Sequence, residues 1–205
     1  IEVFVMKIST LLLSGLVTVA GAAMISGQTA FAADAPKNEI ATDGQKGTSV
    51  VKAKLTGSDT VKLTAVPDLD FGTKEITASV LDLGQTADGT VSVADARGTG
   101  AGYTVDVALT TPFTDASSHT LENSTLTLKN ASGISTDNAA HTVADTKSVD
   151  LTNDSAKNII TAGKDQGLGN WNYKISGSNL HVLAGAYAGD YTGQLTWTLT
   201  ATPKA

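Results

Sequence analysis

The sequence predicts an all-β domain, an antiparallel β-sandwich or a barrel-like fold, behind a cleavable N-terminal signal peptide. Short runs of alternating apolar and polar residues are separated by turn pairs such as Asp88-Gly89 and Gly189-Asp190. Threonine is even more frequent than the 20 glycines, while charged residues make up only 17% of the 205-residue chain. Such a composition favours strands and turns over helices.

The first element is a predicted export segment. Residues 8–25 form an uncharged, mostly apolar run directly after Lys7. The small residues Ala30 and Ala32 follow it at the spacing of a cleavage site. A basic start, an apolar run and a small-x-small triplet are typical of a secretory signal peptide, so we expect cleavage between Ala32 and Ala33.

The segments around this signal are interpreted as follows. Residues 1–5 precede a natural start at Met6 and are taken as an upstream extension of the signal peptide at residues 1–32. A membrane anchor is the alternative, because the run approaches the roughly 18 residues of a spanning helix. Its internal Ser, Thr and Gly favour cleavage.

Residues 33–48 are polar and aperiodic, which predicts a flexible leader before a β domain at residues 49–205.

The predicted strands of the β domain follow one another with short links. Residues 50–55 and 60–66 are expected to pair across a turn at residues 57–59. Further predicted strands are residues 69–72, 76–81, 90–94, 103–110, 126–129, 171–176, 180–183 and 191–201. The polar residues 132–169 are the least strand-like and predict a long excursion with one short helix near residues 154–162.

The clearest alternation is in residues 191–201, where Thr or Gln occupies every even position from 192 to 200. A period of two places Leu195, Trp197 and Leu199 on one face of this strand. Trp197 is therefore first interpreted as a core residue. Trp171 and Tyr173 share a face with Ile175, and the same interpretation applies to them.

Several kinds of chemistry are excluded or left without support. The absence of Cys removes disulfides, thiolate metal sites, Cys nucleophiles and a lipid-bearing Cys, and a net charge of −6 argues against nucleic acid. His119, His141 and His181 are interpreted as isolated, with no carboxylate at ligand spacing. The alternate glycines of residues 98–102 precede a strand, which excludes a phosphate-binding helix start.

We therefore expect no enzyme activity, no cofactor and no metal. Calcium is a minor alternative, since five aspartates fall in or near turns without the spacing of a known loop. They are Asp68, Asp70, Asp82, Asp88 and Asp95. Without a lipid-bearing Cys, a spanning helix after cleavage or a sorting tail, the exported chain is expected to stay at a surface by non-covalent binding.

The C-terminal run Tyr191-Thr192-Gly193-Gln194-Leu195-Thr196-Trp197-Thr198-Leu199 resembles the closing motif of the WxL-domain surface proteins of Gram-positive lactobacilli and enterococci. Residues 95–105, with Asp95-x-Arg97-Gly98 and then Tyr103-x-Val105, resemble the region of the first family motif. Tyr103-x-Val105 stands where the family usually has Trp-x-Leu. The resemblance covers roughly residues 50–203.

This resemblance implies a secreted cell-surface protein whose WxL domain attaches non-covalently to the Gram-positive cell wall, through peptidoglycan. It also implies companion surface proteins, including a membrane-anchored partner, in a multi-protein complex. The residues predicted to bind the wall or a partner are Tyr103, Val105, Trp171, Tyr173, Trp197 and Leu199, and a hypothesis of aromatic contact with sugar rings adds Tyr187.

Two other classes of function are weighed against wall binding. A structural or adhesive subunit would bind a companion surface protein and be retained on the wall only indirectly. A wall-active hydrolase would release muropeptides, and we expect none. Adhesion, host contact and capture of polysaccharide are all compatible with the sequence.

Overall fold

The computed structural model describes residues 39–136, 141–152 and 155–201. The chain divides between Ala53 and Lys54 into two units, and each is described by itself. The predicted signal peptide and its cleavage residues Ala30, Ala32 and Ala33 lie outside the described residues.

The described part of the first unit contains a short hairpin. Strand β1 (Glu39–Ile40) pairs antiparallel with β2 (Gly47–Thr48). The turn between them is shaped by Gly44, whose φ is 68°, and by Asp43, which accepts a hydrogen bond from the backbone N–H of Gln45 at 2.9 Å. Part of the predicted leader is therefore paired, which periodicity could not indicate because each strand has only two residues.

The second unit is built from strands alone over its described residues. They are β3 (Val61–Ala65), β4 (Leu81–Gly84), β5 (Gly89–Asp95), β6 (Tyr103–Thr114), β7 (Thr125–Leu128), β8 (Asn130–Ser135), β9 (Asp145–Thr146), β10 (Val149–Leu151), β11 (Lys157–Ala162), β12 (Gly169–Ile175), β13 (Asn179–Val182) and β14 (Thr192–Ala201). Every pairing between these strands is antiparallel. The predicted all-β, sandwich-like fold is confirmed.

Three four-stranded sheets share one hydrophobic core. Sheet I has the strand order β10-β7-β13-β4, sheet II has β14-β6-β11-β9, and sheet III has β3-β5-β12-β8. All three contribute to a single cluster of buried residues, for example Leu126 from sheet I, Val105 from sheet II and Val91 from sheet III. Removing this apolar surface from water is the main force that holds the sheets together.

The alternation in the sequence explains which side of each strand faces the core. In β12, Trp171, Tyr173 and Ile175 are buried while the residues between them are exposed. Its neighbour β5 presents Val91 and Val93 opposite Tyr173 and Trp171 in register. Side chains on one face of paired strands pack directly against each other, which stabilises the pairing of β5 with β12.

Some predicted elements are wrong. Residues 50–55 form no strand, and β3 pairs with β5 instead. Residues 69–72 form no strand either, and the strand expected over 76–81 begins only at Leu81. The polar region 132–169 carries strands rather than an excursion with a helix, and β11 covers most of the residues assigned to that helix.

Candidate functional site

Four of the six residues predicted to bind the wall or a partner lie in the core. Tyr103, Val105 and Tyr173 have 0% of their surface exposed, and Trp171 has 6%. Each side chain sits on the inward face of β6 or β12. These four side chains therefore offer little or no surface to a polymer outside the domain.

Tyr103, Trp171 and Tyr173, here called the aromatic junction, connect sheets II and III. The hydroxyl groups of Tyr103 and Tyr173 are 2.8 Å apart and form a buried hydrogen bond between the sheets. Burial raises the pKa of both hydroxyls, so both stay protonated. Trp171 donates its Nε1–H to the carbonyl oxygen of Leu168 at 2.8 Å.

A glycine is required beside this junction. Gly167 has a φ of +68°, and a Cβ there would lie 2.7 Å from the hydroxyl oxygen of Tyr103. Both the backbone conformation and the available space therefore exclude a larger residue. The aromatic junction is therefore a close-packed contact between sheets II and III.

A buried ion pair secures the loop that leads from β5 to β6. The Asp95 carboxylate accepts hydrogen bonds from Arg97 Nε at 2.9 Å and from Arg97 Nη2 at 2.7 Å. Arg97 Nη2 also donates to the carbonyl oxygen of Gly102 at 2.7 Å. The hydrogen bonds to Asp95 raise the pKa of Arg97. The Asp-x-Arg pattern thus positions the backbone just before Tyr103.

The remaining two predicted residues, Trp197 and Leu199, lie on β14 and are half-buried. Both pack against the edge of the core cluster. In register, Trp197 is opposite Val107 and Leu199 is opposite Val105 on β6. The two segments that resemble family motifs are therefore neighbouring strands of one sheet, and Trp197 and Leu199 retain some accessible surface.

A partly open cleft of about 1020 Å³ lies elsewhere in the same unit. Its floor is apolar and comes mainly from strands β4 and β13 of sheet I, with contributions from the adjoining loops. The floor residues are Leu69, Phe71, Leu81, Leu83, Phe113, Leu121, Leu180 and Val182, and polar residues on the rim include Asp70, Lys74, Glu75 and Asp190. None of the six predicted site residues lines the cleft.

An exposed aromatic ring forms part of the rim. Tyr187 is 63% exposed and stacks on His119, with ring centroids 4.1 Å apart and an angle of 13° between the planes. Tyr191 donates its hydroxyl hydrogen to the Tyr187 carbonyl oxygen at 2.9 Å. Asp115 Oδ2 lies 2.9 Å from His119 Nδ1, and this hydrogen bond lowers the pKa of Asp115. The ring is held in place yet open to a ligand.

Two of the histidines have carboxylate partners, which corrects the interpretation that all three are isolated. Asp115 precedes His119 by four residues, and Asp82 Oδ1 lies 2.8 Å from His181 Nδ1 across β4 and β13. Within residues 39–136, 141–152 and 155–201, no group of three or more His, Asp or Glu is arranged to hold a metal ion.

Tyr187 is among the aromatic residues predicted to contact sugar rings, but no pattern in the sequence predicts the cleft beside it. The available signals were the apolar Leu69 and Phe71 beside Asp70, and the run of residues 186–191, rich in small residues, which carries two tyrosines. Neither pattern differs from that of an ordinary turn. The cleft arises only when these segments meet over sheet I.

One of three comparisons with known proteins identifies a family for the chain. In the described part of the chain, no helix is long and apolar enough to cross a membrane. Neither the curated proteins nor the solved structures contain a match to the chain. A family model described as a WxL domain, a surface domain that binds the cell wall, matches residues 31–203. The chain belongs to the WxL family of cell-surface domains that bind the cell wall.

Proposed function

We propose that this domain attaches to the cell wall by binding peptidoglycan in the cleft beside Tyr187. The observation that carries the proposal is the combination, within one cavity of about 1020 Å³, of an apolar floor and an exposed, braced aromatic ring. Ligand sites in proteins are typically concave and largely apolar, with a few polar groups that fix orientation. Membership of a wall-binding family supports the wall as the source of the ligand.

The rim of the cleft supports the binding of a wall polymer. Tyr187 presents an apolar ring face, which suits the apolar face of a sugar ring, and a hydroxyl group, which suits hydrogen bonds to the polar groups of a wall polymer. Because its ring is already stacked on His119, little side-chain freedom is lost when a ligand binds. Leu69, Phe71 and Leu83 in the lining are packed against the core yet only partly buried, so the apolar floor is already formed before a ligand binds.

Sedimentation with purified, protein-free peptidoglycan tests this proposal. We expect wild-type protein to co-sediment and Tyr187→Ala to bind several-fold more weakly. Ile134→Ala is the matched control, because Ile134 is also an exposed apolar side chain, at 68%, but does not line the cleft. Equal binding by all three proteins would contradict the cleft, and no sedimentation of the wild type would contradict peptidoglycan binding.

A second candidate function, binding of a companion surface protein, is favoured by the exposed edge of β14. This ten-residue strand is the end strand of sheet II, and it pairs only with β6 among the described residues. Its outward face carries Thr at 196, 198 and 200. A long edge strand offers backbone groups for the addition of a strand from another chain.

Retention on whole cells and retention on protein-free peptidoglycan distinguish the two candidate functions. Retention on whole cells combined with no retention on protein-free peptidoglycan would favour a companion protein, such as a membrane-anchored partner in a surface complex. Retention on protein-free peptidoglycan favours the cleft. In either case we propose a non-enzymatic role, for which incubation with cell walls should release no muropeptides.

A further inference from the structure

We infer that the cleft recognises a free amino group on the peptide part of peptidoglycan, rather than the glycan strand alone. This inference rests on the proposed function and adds the chemistry of the ligand. Three properties of the cleft carry it: the charges on its rim, the partners of those charges and the composition of its floor.

The rim has an excess of negative charge. Four residues that line the cleft are charged, Asp70, Lys74, Glu75 and Asp190, which gives three negative charges against one positive and a formal balance of −2. The single cation is already engaged, because Lys74 Nζ donates to the carbonyl oxygen of Asp82 at 2.8 Å. A second cation would therefore be attracted to the rim from outside.

Two of the three carboxylates are available to such a cation. Asp70 accepts hydrogen bonds from Gly72 N–H and from the Thr86 hydroxyl, so part of its capacity is used. Glu75 and Asp190 are exposed, and within the described part of the chain neither carboxylate has a hydrogen-bond or ion-pair partner. Carboxylates without partners on a ligand-sized cleft are suitable acceptors for an ammonium group.

The same charges argue against other polymers of the wall. A phosphate-rich teichoic acid would bring negative charge toward Glu75 and Asp190, which are both acidic. A glycan strand of acetylated amino sugars carries no cation to pair with them. The peptides of peptidoglycan carry an amino group on their dibasic residue wherever that residue is not cross-linked.

The apolar lining fits the rest of such a peptide. Leu69, Leu83 and Leu121 are only partly buried and present aliphatic surface to the cleft, which suits the methyl groups of alanine and the methylene chain that bears the amine. Short alkyl groups gain favourable burial against aliphatic side chains without the flat platform that sugar rings need. Tyr187 at the rim then contacts the adjoining sugar or peptide backbone.

The test measures the dissociation constant for protein-free, teichoic-acid-free peptidoglycan before and after acetylation of its free amines. We expect acetylation to weaken binding roughly three- to tenfold, the effect of losing two partly exposed charge pairs. A Glu75→Gln, Asp190→Asn double variant should bind untreated peptidoglycan with the same loss and should be insensitive to acetylation. Asp145→Asn on the outer strand β9 is the control, since Asp145 is exposed and does not line the cleft.

The outcomes separate this inference from the proposed function. Binding that is unchanged by acetylation and by the double variant would overturn the inference while leaving peptidoglycan binding intact. Wild-type protein that fails to bind until teichoic acid is restored would overturn both. Circular dichroism of the double variant verifies that it is folded, which is expected because both substituted side chains lie at the surface.

Discussion

The aromatic junction and the rim of the cleft use similar side chains in opposite ways. In the junction, Tyr103 and Tyr173 are fully buried and hydrogen-bond to each other. At the rim, Tyr187 is 63% exposed and is supported from one side only, by His119. Tyr103 and Tyr173 therefore stabilise the fold. The cleft is formed mostly by residues outside the family motifs, and only Tyr191, Thr192 and Gly193, at the start of the C-terminal motif, contribute to its lining.

The largest expected effect comes from removing a ring at the junction. Tyr173→Ala should lower the free energy of unfolding by about 4 kcal/mol, since it deletes a fully buried aromatic and leaves a cavity. Urea unfolding followed by fluorescence measures this loss. The comparison of the two regions fails if Tyr173→Ala is as stable as wild type. Tyr187→Ala, its counterpart at the rim, should change stability by no more than about 0.5 kcal/mol.

Breaking the buried ion pair should have the next largest effect. Arg97→Met keeps much of the side-chain volume but leaves the Asp95 carboxylate buried without its partner, which should cost about 3 kcal/mol. The control is Lys174→Met, because Lys174 pairs with Asp88 at 2.6 Å while both side chains are 50% exposed. An exposed pair of this kind contributes little to stability, because water and salt screen its charges. Equal losses in the two variants would show that burial of the Asp95–Arg97 pair has no special importance.

Trp197 is intermediate in burial between the fully buried Tyr173 and the exposed Tyr187. Because its ring is half-buried against the core, Trp197→Ala should lower stability by about 2 kcal/mol, less than for a fully buried aromatic. Binding to peptidoglycan per folded molecule should stay unchanged. If binding falls while stability is retained, Trp197 contacts the ligand, as the family resemblance predicts.

The smallest expected effect is a change in stability at acid pH, through the Asp115–His119 pair that supports Tyr187. The hydrogen bond from His119 lowers the pKa of Asp115 below its ordinary value of 3.8. The stabilisation by this pair is therefore complete above pH 3.8 and is lost as the pH falls through the lower pKa of the folded state. We expect the difference in melting temperature between wild type and Asp115→Asn to shrink only in that acid range. A difference that is already lost at pH 6 would contradict this assignment.

Strands with strict alternation were predictable from the sequence. β5, β6, β12 and β14 all place apolar residues at every second position, and each was predicted within a few residues of its observed ends. A period of two is sufficient here because only one face of each strand meets the core. The pairing of β14 with β6 was not predictable, since it depends on how distant segments pack.

Where local geometry interrupts the alternation, the prediction was wrong. In β11, Ile159 and Ile160 are adjacent and both buried, because a bulge between Asn158 and Ile160 shifts the register with β6. The polar character of residues 132–169 predicted a short helix there instead. Residues 50–55 show the reverse case, since they alternate but leave Val51 at 90% and Leu55 at 96% exposed.

The cleft could not be derived from any local pattern. Its lining runs from Leu69 to Gly193 and combines two strands of sheet I, the adjoining ends of β6 and β14 in sheet II, and loops from both halves of the unit. Composition could show that aromatics are few, but it could not show which ring would be exposed. That distinction is a property of tertiary packing, because the burial of a side chain depends on what covers it.

One strand reaches from the junction to the cleft. β6 has twelve residues and spans roughly 35 Å, with Tyr103 buried at its start and Phe113 lining the cleft near its end. Small domains tend to unfold cooperatively, and a ligand that binds only the folded state shifts the balance toward it. We therefore expect occupancy by the wall to slow proteolysis throughout the domain, so that a molecule held in place at the surface also lasts longer than one that has been released.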